Sequence, residues 1–176
     1  MKNFRQIDHE IDEEAIRKEI TYILSHRFIP RNWSQISIQT PNMNAKPETD
    51  WDVTIGRLKN TGHTEPEVKY FLWDTPTING LIERYAFFRC RLMRMSPKSC
   101  LTWHHDGGDR FHLPLVTNPG CRMVIEDECF HLPAFKLFWT KTSSMHTAYN
   151  LSSDWRTHLM GCVTPAISAL YDSSLP

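Results

Sequence analysis

The sequence predicts a mainly β fold, a sandwich or barrel of short strands preceded by one helix. Three observations predict it. From residue 36 onward, short runs with alternating apolar and polar residues recur at regular spacing. Turn signals close them, among them Ser96-Pro97-Lys98-Ser99, Gly107-Gly108-Asp109 and Asn118-Pro119-Gly120. Helical spacing is sustained at the N-terminus, where Ile16, Ile20, Ile23 and Leu24 fall on one side.

The elements follow in order. Residues 8–26 read as a helix packed on the sheet. Asp8 or Asp12 caps it, Asp12, Glu13 and Glu14 suit the positive end of its dipole, and Pro30 ends it. Ile36 and Ile38 begin the β-rich part, and Pro41 to Pro47 is a polar loop. Trp51, Val53 and Ile55 alternate, which predicts a strand over 51–58, with a turn at Lys59-Asn60-Thr61-Gly62. Residues 66–73 fit either strand or helix. Pro76 opens a short helix to about Glu83 that turns Ile78, Leu81 and Ile82 inward. Strands are expected over 85–95, 100–106, 110–117, 122–126, 135–140, 145–149 and 155–163. A hairpin turn over 150–154 joins the last two, and a short helix ends in a disordered tail. No repeat, low-complexity tract or linker divides the chain, so 1–176 reads as one domain.

Composition narrows the function. Of 176 residues, 40% are hydrophobic and 23% charged, enough for a core without disulfides. Lys+Arg and Asp+Glu are both 20, which favours neither a nucleic-acid nor a membrane partner. No apolar run approaches the ~20 residues of a membrane span. The N-terminus lacks a signal-peptide core, so the expected compartment is the cytoplasm. The five Cys show no Cys-x-x-Cys pattern and read as reduced, buried thiols. Nine His is a high count for this length, and six lie between His104 and His158.

That cluster carries the chemistry. Side chains alternate along a strand, so His104 and Asp106 project together and His105 points away. With His146 from a remote strand they make two imidazoles and one carboxylate. This is the facial triad of non-haem Fe(II) oxygenases, which leaves coordination positions open. Arg156 follows His146 by ten residues, and the expected hairpin sets it on the neighbouring strand, sharing a face with His158. A guanidinium is always charged and its fork matches a carboxylate, so an inward-facing Arg156 calls for an anion.

Several motifs occur together in order: Arg91-Leu92-Met93-Arg94-Met95-Ser96-Pro97, Trp103-His104-His105-Asp106, Arg110-Phe111-His112-Leu113-Pro114-Leu115, His146-Thr147-Ala148-Tyr149-Asn150 and Arg156-Thr157-His158-Leu159. Over about residues 85–163 this pattern resembles the aspartyl/asparaginyl β-hydroxylase family, in particular small bacterial members that include proline hydroxylases. The resemblance implies a double-stranded β-helix, or cupin-like jelly roll. It also implies an Fe(II) dioxygenase with 2-oxoglutarate and O2 as co-substrates and ascorbate as a stimulant. In such enzymes His104, Asp106 and His146 would hold the iron, and Arg156 would pair with the far carboxylate of 2-oxoglutarate. Arg110 and His112 would contact co-substrate or substrate. The products are succinate, CO2 and a hydroxylated substrate, expected to be an amino acid, an amino-acid derivative or a peptidyl Asp, Asn or Pro. Vertebrate-type members carry Gly where this chain has Asp106, which sets it nearer the bacterial hydroxylases and argues against halogenation. Met93 stands where the vertebrate type has a Ser that contacts 2-oxoglutarate.

Other features fit bland roles. Trp51, Trp73, Trp103, Trp139 and Trp155 suit core or rim packing. Arg89 and Arg91 suit either a substrate carboxylate or a salt bridge. His131 has no partner at metal spacing, and His63 suits a surface loop. Two rivals keep the β fold: a cupin-like metal-binding protein without catalysis, which has no need of Arg156, and a zinc hydrolase built on the same three ligands.

Overall fold

The structure is a computed structural model that describes residues 3–56, 58 and 62–172. The turn expected at 59–62 and the last residues of the tail lie largely outside these. The chain gathers into two compact units, one of Met1–Ile11 with Arg94–Pro176 and the other of Asp12–Met93.

In the Asp12–Met93 unit, helix α1 (Glu13–Leu24) starts where the Asp12 carboxylate accepts from the backbone N–H of Ala15 at 3.0 Å. It buries Ile16 and Ile23 and pairs Glu13 with Arg17 and Glu14 with Lys18 on its exposed side. Helix α3 (Pro76–Arg84) packs beside it and buries Ile78, Leu81 and Ile82, as the spacing predicts. The carboxylate of Glu19 on α1 accepts from the N–H groups of Thr77 and Ile78 at 2.7 and 2.8 Å. One side chain thus caps α3 and fixes it to α1. Three strands here are short, β2 (Gln35–Ser37), β3 (Gln39–Thr40) and β4 (Tyr70–Phe71), and the eight-residue β5 (Phe88–Met95) carries the chain into the other unit.

The strand expected over 51–58 does not form. Helix α2 (Pro47–Asp50) runs into turns, with Val53 N–H on Asp50 O and Ile55 N–H on Asp52 O. Three apolar residues at alternate positions are too few to impose a strand once Pro47 has started a helical turn. Strand β5 begins three residues later than expected because Ala86 and Arg89 take positive φ values of 51° and 50°. That geometry interrupts simple alternation, and Arg89 turns to Glu65 and the carbonyls of Thr54 and Gly56. Arg91 donates to Gln35 Oε1 at 2.9 Å. Arg89 is therefore salt-bridged in place.

The other unit carries the jelly roll. One sheet contains β1 (Phe4–Ile7), β10 (Leu137–Thr140), β7 (Arg110–Val116) and β12 (Arg156–Cys162) in that order. The other runs β6 (Ser99–Cys100), β11 (His146–Asn150), β8 (Cys121–Ile125), β9 (Glu128–Phe130). From β6 the chain alternates between the sheets except at the β8–β9 hairpin, which is the path of a double-stranded β-helix. Met123, Ile125, Phe130, Phe138 and Ala148 from both sheets form the core, and Phe4 stacks on Phe130 with centroids 3.9 Å apart. Strands β1 and β9 have no counterpart in the sequence reading. Both are short, and each is set by its pairing partner.

Two expectations are corrected. The segment 100–106 is not a continuous strand: β6 covers only its start, and His104 makes an isolated antiparallel bridge with His146. Residues 150–154 do not close a hairpin, because β11 pairs with β6 and β8 while β12 pairs with β7 in the other sheet. The link is a crossover organised by buried Asn150. Its Nδ2 donates to Ser96 O at 3.1 Å and Asp154 O at 2.7 Å, and its Oδ1 accepts from Ser152 N at 3.1 Å. Of the cysteines, Cys90, Cys121 and Cys162 are buried, but Cys100 and Cys129 are exposed, against the expectation for all five.

Helix α4 (Pro165–Ala169) closes this unit through one carboxylate. Buried Asp109 accepts from Ser143 N at 3.0 Å, from Ser143 Oγ at 2.6 Å and from Ser168 Oγ, while Trp139 Nε1 donates to Ser168 Oγ at 3.0 Å. Replacing Asp109 by Ala removes three bonds to a charged acceptor and leaves the Ser168 hydroxyl short of a partner. The expected loss is about 3 kcal/mol in urea unfolding, with no loss expected for an exposed control such as Asp127→Ala.

Candidate metal and co-substrate site

The metal candidates are brought together by backbone pairing. His104 and His146 exchange two hydrogen bonds, His104 N to His146 O at 3.0 Å and His146 N to His104 O at 2.7 Å. Their rings then lie 4.3 Å apart between centroids. Asp106 joins them because its N–H donates to Thr142 O at 2.9 Å, four residues before His146. One ligand atom from each of His104, Asp106 and His146 lies within 4.8 Å of the other two. His105 is exposed, as alternation predicts, although the segment is not a regular strand.

The rings are pre-oriented. His104 Nδ1 contacts Thr102 O at 2.6 Å and His146 Nδ1 contacts Ser144 O at 3.0 Å. A carbonyl can only accept, so both Nδ1 atoms carry the proton and both Nε2 lone pairs are left for a metal. His146 Nε2 sits 3.9 Å from Asp106 Oδ2. Burial lowers the His146 pKa, with the bond to Ser144 O and the Asp106 charge opposing it, which favours the neutral, ligating form. Two neutral imidazoles and a half-buried carboxylate are a donor set that fits Fe(II).

Beside the triad lies a buried polar chain. Arg156 Nε donates to His158 Nε2 at 3.0 Å, and His158 Nδ1 lies 3.3 Å from His112 Nδ1. Arg156 Nη2 also lies 3.2 Å from His158 Nδ1, and a neutral imidazole accepts at only one nitrogen, so only one of the two Arg156 contacts acts as a hydrogen bond. His112 Nε2 at the end of the chain is buried and has no hydrogen-bond partner. Arg156 is 9% exposed and forms no ion pair among the described residues, and burial pushes its pKa down to about 10. It remains a cation at neutral pH without a counter-ion. The chain therefore has an unpartnered ring nitrogen at its His112 end and, among the described residues, no ion pair for the buried cation at its Arg156 end. The bulge between Thr157 and His158, opposite Pro114 of β7, lies within this chain. Pro114 has no N–H to continue the ladder there.

Arg110 is placed differently from Arg156. Its Nη1 donates to Gly108 O at 2.9 Å and Asp109 O at 3.2 Å, and its Nε lies 3.4 Å from Asp106 Oδ2. At the rim, Trp103 and Trp155 are 48% and 40% exposed, and Arg94 stacks over the Trp155 ring at 3.7 Å. Trp73 and Trp139 are core. His131 is held by Cys121 O and joins no metal cluster among the described residues. The carbonyls of Thr102, Thr142 and Ser144 carry no side-chain signal and were not foreseeable from residue type.

A family model described as aspartyl/asparaginyl β-hydroxylase matches residues 10–164. The chain belongs to the aspartyl/asparaginyl β-hydroxylase family. Among curated relatives, L-proline cis-4-hydroxylase of Rhizobium meliloti (strain 1021) is 32% identical over 97 residues, 48% of this chain and 34% of that protein. The chain thus spans about a third of the length of that relative. Among solved structures, a 2OG-Fe(II) oxygenase family oxidoreductase from Burkholderia pseudomallei overlaps 43% of this chain and 42% of its own, with TM-score 0.39 and 18% identity. A cupin domain from Bordetella pertussis overlaps 43% and 80%, with TM-score 0.39 and 15% identity. These structural overlaps are partial, and family membership stands on the sequence match.

The two buried imidazoles set a pH dependence. Burial, then the Arg156 charge, holds both the His112 and His158 pKa well below the usual 6.5. In the unfolded chain both titrate near 6.5. Below that pH the unfolded state takes up protons that the native state refuses. Stability is therefore full above about pH 6.5 and falls with acidification, on the order of 2 kcal/mol per pH unit for the pair. Chemical denaturation of the metal-free protein across this range checks the slope, and His158→Asn is expected to reduce it by about half.

Proposed function

We propose that this family member is an Fe(II)- and 2-oxoglutarate-dependent dioxygenase that hydroxylates a C–H bond of an amino acid, an amino-acid derivative or a peptidyl Asp, Asn or Pro. The observation that carries the reading is the His104, Asp106, His146 triad together with a buried Arg156 that pairs with no carboxylate among the described residues. The triad would hold Fe(II). When bound, the metal supplies the redox chemistry that couples decarboxylation of 2-oxoglutarate to succinate and CO2 with insertion of one oxygen atom from O2 into the substrate.

The chain's own residues supply positioning. Arg156 binds the far carboxylate of 2-oxoglutarate as the anion its burial demands. His158 accepts from Arg156 Nε and so orients the guanidinium. His112 offers its unpartnered Nε2 to the same co-substrate as a donor, and the Arg156 charge reaches its ring. Thr102 and Ser144 hold the imidazole tautomers, and burial of β7 and β12 excludes water from the polar chain. The likeness to L-proline cis-4-hydroxylase supports a free amino acid as substrate.

The test is oxygen-dependent succinate release from 2-oxoglutarate with Fe(II) and ascorbate, read beside a metabolite screen for products heavier by one oxygen atom. His104→Ala is expected to lower release roughly 100-fold or more. Arg156→Ala is expected to raise the 2-oxoglutarate concentration for half-saturation by about 100-fold while leaving metal binding intact. Wild-type release from His104→Ala would falsify the metal assignment. Absence of 2-oxoglutarate binding to the iron-loaded protein would favour a non-catalytic cupin-like metal protein.

A further inference from the structure

β11 begins with the proposed metal ligand His146 and ends with Asn150. Both are buried, as is Ala148 between them, which places the three on the inner side of the sheet. We infer that Asn150 is a positioning residue for Arg156. It fixes the crossover that delivers the guanidinium, so a single strand sets the places of the metal ligand and of the cation.

Arg156 needs such support. Leu151, Ser153, Asp154 and Trp155 before it are exposed, and the register of β12 with β7 begins at Thr157, with the bulge directly after. A link with so little packing depends on its hydrogen bonds. Asn150 makes them in both directions. Its Nδ2 donates to Asp154 O at 2.7 Å, two residues before Arg156, and to Ser96 O at 3.1 Å. Its Oδ1 accepts from Ser152 N at 3.1 Å, from Ser152 Oγ at 2.7 Å and from Cys121 Sγ at 3.3 Å. Ser152 Oγ accepts in turn from Asp154 N at 3.2 Å and from Asn118 Nδ2 at 2.9 Å, and Leu151 N donates to Gly120 O at 3.0 Å. Trp155 is held by Arg94, stacked on its ring at 3.7 Å. The backbone that leads into Arg156 is therefore tied at each step to its surroundings, with Asn150 at the centre.

A carboxamide suits this task. It carries two donors and an acceptor oxygen side by side, whereas a carboxylate loses the donors and a hydroxyl has only one. The hub is itself fixed, since Asn150 pairs with Cys121 of β8 on one side and Ser99 of β6 on the other. From His146 to Asn150 is four residues, about 13 Å along an extended strand. The proposed metal ligand stands at one end of that span and the start of the crossover at the other. A guanidinium grips a carboxylate through directional, paired bonds, so a displacement of about 1 Å weakens the grip on the order of tenfold.

This role rests on the proposed pairing of Arg156 with 2-oxoglutarate, and a double-mutant cycle separates the two. Asn150→Ala and Arg156→Ala are made singly and together. Folding is monitored by circular dichroism, Mn(II) affinity by the electron paramagnetic resonance signal of the free ion, and 2-oxoglutarate affinity by calorimetric titration at saturating Mn(II). Asn150→Ala is expected to weaken 2-oxoglutarate binding about tenfold when Arg156 is present and less than about twofold when Arg156 is already Ala. A merely structural role gives the same loss in both backgrounds. Mn(II) affinity should change by less than about twofold, since His146 is held at the other end of β11. Ser152→Ala, at a half-buried position, removes one arm of the hub and is expected to weaken 2-oxoglutarate binding about threefold with the same dependence on Arg156. It carries the test alone if Asn150→Ala does not fold. Wild-type 2-oxoglutarate affinity in the folded variants overturns the assignment, and so does an equal loss in the two Arg156 backgrounds or a matching loss of Mn(II) affinity. If Arg156→Ala alone binds 2-oxoglutarate as tightly as wild type, the proposed role of Arg156 fails and that of Asn150 with it.

Discussion

The two backbone hydrogen bonds exchanged between His104 and His146 are the constraint on which the site depends. They join residues separated by 42 positions, and they do so outside any regular strand ladder. A single bridge of this kind fixes the rings at a separation that a metal can span. The loops on either side are then free to serve the ligands. Thr102 O and Ser144 O, each two residues before a histidine, hold its proton on Nδ1. Thr142 O, on the same link, holds Asp106. Irregular backbone here has a physical use, because carbonyls not engaged in a ladder are available to orient side chains.

The polar chain Arg156–His158–His112 stands in tension with the fold around it. β12 is buried along its whole length and β7 along most of it, and the cation and two imidazoles they carry cost desolvation that no carboxylate among the described residues offsets. The contacts run from Arg156 through His158 to His112. They leave His112 Nε2 without a partner and Arg156 without an ion pair among the described residues. A buried network left partly satisfied is unfavourable in itself. An anion beside Arg156 would offset that cost.

Much of this was legible in the sequence. Strand alternation assigns His104 and Asp106 to one side and His105 to the other, and the outcome holds because His104 is still paired as an extended residue. The turn signals correctly separate β7 from β8 and β10 from β11. Alternation misled at Trp51, Val53 and Ile55, where Pro47 and local turn bonds prevailed over a three-residue pattern. The strands β1 and β9 escaped notice because three or four residues carry too little pattern, and pairing with a longer neighbour decides them.

The sequence by itself determined the ligand types, their order and the presence of an inward-facing cation, because these are properties of residue identity and of the two-residue period of extended chain. Tertiary structure decided how they meet. The stretch between His146 and Arg156 has turn composition, yet it crosses from one sheet to the other instead of closing a hairpin. Composition records that the chain turns and not which strands it pairs with afterwards. Arg110 and Arg156 are alike as letters, both beginning an Arg-x-His motif. Only packing separates them, since Arg110 meets the carboxylate of Asp106 and Arg156 meets the imidazole of His158 and no carboxylate among the described residues.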